Sequence, residues 1–109
     1  MAKQLKLIDK TGEYTLEYNR RSIEQMERTG FVVSDITDKP MTVLPALFAG
    51  AFLKNHRKVK RDAIDAIFDR VSDKQGLIGK LAEMYNEPIE ALLDEPEEDE
   101  GNATWEASW

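Results

Sequence analysis

The sequence predicts an α+β fold that is mainly helical: an N-terminal β-hairpin followed by four to five short helices and a disordered acidic C-terminal tail. Three observations support this prediction. Apolar and polar residues alternate between residues 3 and 18, which is typical of strands. Apolar residues then recur at helical spacing up to residue 93, and acidic residues dominate from residue 94 onward.

Length and charge divide the chain into two parts. A chain of 109 residues is long enough for one domain with one modest core. Of its 21 acids, seven lie in residues 94–109, which leaves 14 acids to balance the 15 bases of residues 1–93. We therefore expect a single nearly neutral domain over 1–93 and a flexible acidic tail over 94–109.

The first predicted element is the hairpin of residues 3–18. "KQLKLID" and "EYTLEY" alternate apolar and polar residues, and the intervening "KTG" supplies a turn with a glycine for positive φ. Asn19 is the type of residue that caps a helix, so "RRSIEQMERT" is predicted to form a short helix that ends at Gly30. "FVVSDI" then predicts a third extended segment.

The central helix is predicted over Val43–Leu53, with Thr42 as its cap and Pro45 in its first turn. This helix is apolar on nearly every side, so it is buried on more than one face, either by its own domain or by another subunit. In the second case Phe48 and Phe52 become interface anchors.

The small residues of the same helix leave the same two alternatives open. They are Ala46, Ala49, Gly50 and Ala51. A glycine inside a helix costs about 1 kcal/mol relative to alanine and often permits the close approach of another backbone. That approach is either packing within the chain's own core or contact between subunits.

Three further helices follow in the prediction. "KRDAIDAIFDRVS" carries an amphipathic stripe, and "LIGKLAEMY" places its apolar residues on one face. Asn86 and Pro88 are predicted to open a separate last helix that carries Ile89, Leu92 and Leu93.

The chemistry-bearing residues do not predict catalysis. His56 is the only histidine, and its sequence context is that of a helix-end residue near the C-terminal dipole. Asp62, Asp65 and Asp69 share one side of a helix, but Arg61 and Asp65 form a ready i,i+4 pair. We expect no enzymatic activity, no cofactor and no metal site.

Membrane and nucleic-acid partners are not expected either. The longest apolar run, residues 43–53, is about half of the roughly 20 residues that a membrane span needs, and the N-terminus lacks the apolar segment of a signal peptide. The basic segment "KNHRKVKR" is of a kind that can bind nucleic acid. The acidic tail and the absence of interleaved aromatic residues argue against such binding. We expect an intracellular location.

Both tryptophans, Trp105 and Trp109, lie in the predicted tail. Ordering the nine residues that carry them costs about 1–2 kcal/mol each in backbone freedom, which offsets the roughly 10 kcal/mol available from burying two indoles. We therefore expect both side chains to be exposed anchors for a partner. Docking of Trp105 in a groove of its own domain is the alternative.

Three segments in order carry a resemblance to a known family. "YTLEYNRRSIEQMERTGF", "LPALFAGAFLKNH" and "LIGKLAEMYNEPIEALL" resemble the tail assembly chaperones of long-tailed, siphovirus-type phages that infect Gram-positive bacteria. The resemblance covers residues 13–94 without large gaps, and "NATWE" is similar to the close of the short form in that family. It depends on apolar and aromatic positions and includes no catalytic signature.

The resemblance implies a mechanical role. Such chaperones self-associate and coat the tape-measure protein in the host cytoplasm before the tail tube protein polymerises around it, and they are absent from the mature virion. A homo-oligomer, the tape-measure protein and the tail tube protein are the implied partners. The alternatives that the residues leave open are a small nucleic-acid-binding regulator and a generic adaptor module.

Overall fold

The protein is described here by a computed structural model that covers residues 3–95, 101 and 103–109. Within these residues a two-stranded antiparallel hairpin precedes four α-helices and one 3-10 helix. Strands β1 and β2 span Leu5–Asp9 and Gly12–Leu16, helices α1 to α4 span Arg20–Arg28, Pro40–Gly50, Arg61–Arg70 and Lys74–Ala91, and the 3-10 helix spans Val33–Ile36. The predicted α+β, mainly helical fold is confirmed.

The hairpin forms where the alternation predicts it. Leu5 pairs with Leu16 at its open end, and Asp9 pairs with Gly12 at the turn. The Asp9 carboxylate accepts hydrogen bonds from the backbone N–H and the hydroxyl of Thr11, at 3.1 and 2.6 Å. Gly12 has a φ of 142°, which side-chain-bearing residues rarely adopt, so the predicted role of this glycine is confirmed.

A two-pronged ion pair holds the hairpin turn against the end of α3. Arg70 donates from Nε and Nη2 to the two carboxylate oxygens of Asp9, at 3.0 and 2.8 Å. The hydrogen bonds from Arg70 and Thr11 hold the pKa of Asp9 well below its usual range, and the same pair raises the pKa of Arg70. Residues that are 61 positions apart in the chain are thereby linked.

Both predicted ends of α1 are confirmed. The Asn19 side chain accepts from the backbone N–H of Ser22 at 2.7 Å, and the Ser22 hydroxyl accepts from the Asn19 N–H at 2.9 Å. After Thr29, Gly30 has a φ of 95°, and the N–H of Phe31 returns to the carbonyl of Met26 at 3.1 Å.

The predicted third extended segment is wrong. Val33–Ile36 forms a 3-10 helix, in which the N–H of Asp35 donates to the carbonyl of Val32 at 3.0 Å. Valine favours strands where cross-strand neighbours pack against it. Within the described residues the sheet contains only β1 and β2, so this segment has no such neighbour.

The predicted start of the central helix is also wrong. Helix α2 begins at Pro40 with Lys39 as its N-cap residue, because proline already has the backbone angle of a first helical position. Thr42 therefore lies inside the helix, and Pro45 lies beyond its first turn. The helix ends at Gly50 rather than Leu53, and the next three N–H groups donate to carbonyls three residues back in a tighter turn.

Helix α4 is continuous where the sequence predicts two helices. It runs from Lys74 to Ala91 with Pro88 inside it, and Asp73 caps it by accepting from the N–H of Gly76 at 3.2 Å. A proline removes one helical hydrogen bond. Leu81 and Tyr85 are buried and anchor the helix to the core, and the apolar stripe continues in phase past Pro88 to Ile89.

Helix α2 is at the centre of the core. It contacts α1, α3, α4 and the 3-10 helix, and Leu47 and Phe48 are completely buried within it. The expectation that this helix is buried on several faces is thus met by the chain itself.

In the described part of the chain, no helix combines the length and apolar content that crossing a bilayer requires.

Glu17 is a buried acid at the point where the hairpin meets α2. Its side chain is 2% exposed and pairs with Lys54, and it also accepts from Gln4 at 2.8 Å and from Asn55 at 3.4 Å. Burial alone raises the pKa of Glu17, but the hydrogen bonds from Lys54, Gln4 and Asn55 together lower it. Glu17 is therefore ionised in the folded state.

The predicted tail begins after α4. Residues 96–100 and 102 of the tail lie outside the described residues, so the prediction of a disordered tail stays a prediction for them. Residue 101 and residues 103–109 belong to no helix or strand.

Replacing Glu17 by glutamine keeps the side chain's shape and removes the charge that Lys54 pairs with. We expect the free energy of unfolding at pH 7 to fall by about 2 kcal/mol, as for other hydrogen bonds between charged groups. Since the native pKa of Glu17 is lowered, its contribution is complete above about pH 5 and is lost as the pH falls through the native value. Glu17→Gln should therefore lose less stability on acidification than the unchanged protein, which urea denaturation at several pH values measures.

Glu13→Gln is the matched control, because the Glu13 side chain is 62% exposed and pairs with Lys6 on the surface at 3.3 Å. Such pairs contribute at most about 1 kcal/mol. Equal effects of the two substitutions would contradict the importance assigned to the buried acid.

Candidate partner-binding surfaces

The two phenylalanines expected as interface anchors lie inside the domain. Phe48 and Phe52 are 0% and 1% exposed, and their ring centroids lie 5.2 Å apart. Phe48 also packs on Phe68 at 5.1 Å, and Phe52 packs on Tyr14 at 5.4 Å. In this structure the two rings join the end of α2 and the turn after it to α3 and to the hairpin, and their expected role in a subunit interface stays a prediction.

The two tryptophans, in contrast, are on the outside. Trp105 is 83% exposed and Trp109 is fully exposed. Indoles are amphipathic groups that usually find a packing partner and a hydrogen-bond acceptor. Both indoles are exposed, and their expected role as anchors for a partner stays a prediction.

An apolar groove of about 230 Å³ separates α1 from α2 and from the start of α3. We call it the α1–α2 groove. Its floor is formed by the small residues Ala46, Ala49 and Gly50, and its walls include Met26 and Ile64. The small-residue face that the sequence analysis singled out is therefore partly open.

Met26 packs directly against Gly50. A Cβ atom at this position would overlap the Met26 thioether, so a larger residue would require that side chain to shift. Of the two readings of the small residues, the structure shows the contact within the chain at Gly50. Ala46 and Ala49 are half-buried and line the groove beside it.

A second groove, which we call the α1–α4 groove, has a volume of about 200 Å³. Its apolar lining comes from Ile23 of α1 and from Pro88, Ile89 and Leu92 at the end of α4. Leu93, the next residue, is 89% exposed. A cluster of large exposed aliphatic side chains beside a groove is typical of an interaction surface.

The basic segment is a connection between α2 and α3, and part of its charge is used internally. Lys54 pairs with the buried Glu17. Arg57 donates to Oε1 of Gln25 at 3.3 Å. No carboxylate of the described residues lies within ion-pair distance of Arg57, Lys58 or Lys60.

His56, in the segment that follows α2, contacts the hairpin. Its Nε2 accepts a hydrogen bond from the backbone N–H of Thr15 at 2.9 Å, and its ring packs edge-on against Tyr14 at 5.2 Å. His56 thereby links the hairpin to the segment that follows α2, and its expected interaction with the helix dipole stays a prediction.

The three aspartates of α3 do not form a cluster that the structure identifies as a metal site. The predicted pair is present, since Arg61 donates to Asp65 at 2.9 Å. Among the described residues, no group of three acidic or histidine side chains is arranged to hold a metal ion.

Sequence reasoning missed both grooves. The small residues of α2 and the apolar end of α4 were visible as patterns, but the pattern alone did not say which helix lies opposite each of them. The in-phase spacing of Tyr85, Ile89 and Leu92 was the available signal for the α1–α4 groove.

A family model described as "Domain of unknown function (DUF5055)" matches residues 1–109, and the chain therefore belongs to that family. No curated protein and no solved structure matches the chain.

Phe52→Ala and Trp105→Ala test the different placement of two aromatic residues. We expect Phe52→Ala to lower the free energy of unfolding by about 3–5 kcal/mol, because it opens a cavity in the core. Trp105→Ala should change the free energy of unfolding by less than about 0.5 kcal/mol, because the domain does not cover the Trp105 side chain. Chemical denaturation followed by circular dichroism measures both values, and a large loss in Trp105→Ala would mean that the domain covers this indole.

Proposed function

We propose that this member of the DUF5055 family is a phage tail assembly chaperone that self-associates and coats the tape-measure protein during assembly of the tail tube. It would act in the host cytoplasm and be absent from the mature virion. The resemblance of residues 13–94 to such chaperones supports the proposal.

The observation that carries the proposal is the apolar end of α4. Tyr85 is buried in the core, but the stripe continues to Ile89, Leu92 and Leu93, which are 44%, 54% and 89% exposed. A helix face that remains apolar beyond its own core is suited to packing against another helix.

The α1–α4 groove has the form of a helix-binding site. Its lining combines apolar residues with charged side chains of both signs, Arg20, Glu24 and Glu27. An apolar centre with a polar rim is typical of protein interfaces. A long helical rod presents repeated apolar stripes, and many copies of one short groove would cover it along its length.

The acidic residues 94–100 fit the same role. A coat made of small, nearly neutral domains needs a source of mutual repulsion to stay dispersed, and the excess negative charge of the chain is concentrated in this stretch. No step of this role requires a catalytic group.

Leu93→Asp tests the proposal in co-expression with the tape-measure protein of the same phage. We expect the tape-measure protein to aggregate alone, to become soluble and co-purify with the unchanged chain, and to lose at least tenfold of its soluble yield with Leu93→Asp. The introduced carboxylate would lose its water where the exposed side chain beside the α1–α4 groove contacts the partner.

Met41→Asp is the matched control, because Met41 is also 89% exposed but lies at the start of α2, where an acid favours the helix. It should leave the soluble yield unchanged. A tape-measure protein that remains insoluble with the unchanged chain would contradict the proposal, and tight salt-dependent binding of duplex DNA would favour a regulator instead.

A further inference from the structure

We propose that the α1–α2 groove binds the tryptophan segment, residues 101–109, of a second copy of this chain, so that copies join head to tail. The inference deepens the self-association in the proposed function and rests on it. It concerns a different groove from the one assigned to the tape-measure protein.

The tryptophan segment has two apolar anchors that its own domain does not cover. Trp105 and Trp109 are exposed while the α1–α2 groove of the same chain stays open. Each indole can remove roughly 200 Å² of largely apolar surface from water when it finds a pocket. Indoles are among the residues that most often dominate binding energy in interfaces.

The groove matches an indole in size and chemistry. Its volume of about 230 Å³ is lined by the small residues of α2 and by Met26 and Leu53, whose side chains are apolar. Thioethers make favourable contacts with aromatic rings. Gln25 and Thr29 at the edge of the groove offer oxygen atoms that can accept from an indole N–H.

Charge selects this groove over the α1–α4 groove. The tryptophan segment contains Glu106 and follows the acidic residues 94–100. Arg61 lines the α1–α2 groove and pairs with Asp65 on its own helix, whereas Arg57 donates to the lining residue Gln25 and has no carboxylate partner among the described residues. Lys58 and Lys60 add positive charge to the connection that leads into α3. Complementary charge around an apolar site directs association to that site.

The α1–α4 groove is a poor alternative for an acidic segment. Its charged lining residues are Glu24, Glu27 and Arg20, and Glu24 also pairs with Arg28. Like charges placed next to one another oppose binding. The charges therefore favour an acidic segment at the α1–α2 groove over the α1–α4 groove.

Head-to-tail joining follows because the groove and the segment are different surfaces. When one copy's segment occupies a second copy's groove, the pair still has one open groove and one unbound segment. Such heterologous contacts continue into rings or open helical arrays. An array of this kind suits a chain that covers a long rod.

Tryptophan emission and sedimentation of the full-length chain test the inference. Both tryptophans lie in the segment, so the emission reports on it alone. We expect red-shifted emission in dilute protein, and a blue shift that grows with concentration together with larger sedimenting species. Higher salt should shift both changes to higher concentration.

Two groove variants should weaken association at least tenfold. Ala49→Leu fills the groove with a good helix former, and Arg57→Glu reverses the charge at its edge. Lys80→Glu is the matched control, since Lys80 is an exposed basic residue on α4 that lines neither groove. Circular dichroism confirms folding, and Arg57→Glu is a surface change that keeps the test informative if Ala49→Leu misfolds.

A mixing experiment identifies the head-to-tail geometry. Ala49→Leu keeps an intact segment, and Trp105→Ala/Trp109→Ala keeps an intact groove. Each variant alone should stay monomeric, whereas the mixture should form a 1:1 pair with blue-shifted emission and no larger species.

Three results would overturn the inference. One is association that the groove variants leave unchanged, and another is association of the double tryptophan variant. The third is blue-shifted emission that is independent of concentration in dilute protein, which would mean that the segment occupies its own chain. In all three cases solubilisation of the tape-measure protein could persist, so the proposed function is tested separately.

Discussion

The attachment of residues 16–18 to the C-terminal half of α2 is the constraint on which the rest of the structure depends. Leu16, Glu17 and Tyr18 are all 1% exposed or less. The N–H of Glu17 donates to the carbonyl of Ala51 at 3.1 Å, and the hydroxyl of Tyr18 donates to that of Leu47. A two-stranded hairpin is marginal by itself, so these bonds give it a support and connect it to the helices.

The same attachment determines where surface remains open. Helix α2 presents its large residues to the hairpin, α3 and α4, which leaves its smaller side chains toward α1. Met26 fills the space above Gly50, but Ala46 and Ala49 have no side chain long enough to fill the rest. The α1–α2 groove is thus a consequence of how the core is filled on the other faces of one apolar helix.

The sequence predicted the features that short-range chemistry decides. The hairpin, the Asn19 cap and the stop at Gly30 each depend on a few neighbouring residues, and each is confirmed. The 3-10 helix at Val33–Ile36, the start of α2 and the unbroken α4 depend on which elements lie nearby, and there local preference misled. The same limit applies to the binding surfaces. The acidic sequence around the tryptophans was enough to predict that they are exposed. Predicting the burial of Phe48 and Phe52 and the position of the two grooves requires knowledge of how the helices pack.

The geometry of α1 allows both proposed contacts at once. With 3.6 residues per turn, Arg20, Ile23, Glu24 and Glu27 share one side of the helix, and Gln25, Met26 and Thr29 share the opposite side. The first set lines the α1–α4 groove and the second lines the α1–α2 groove. Helix α1 therefore separates the two sites, so a neighbouring copy bound on one side does not occlude a helical partner on the other. The charges near the two grooves also differ, which favours the tryptophan segment at the α1–α2 groove over the groove that we assign to the tape-measure protein.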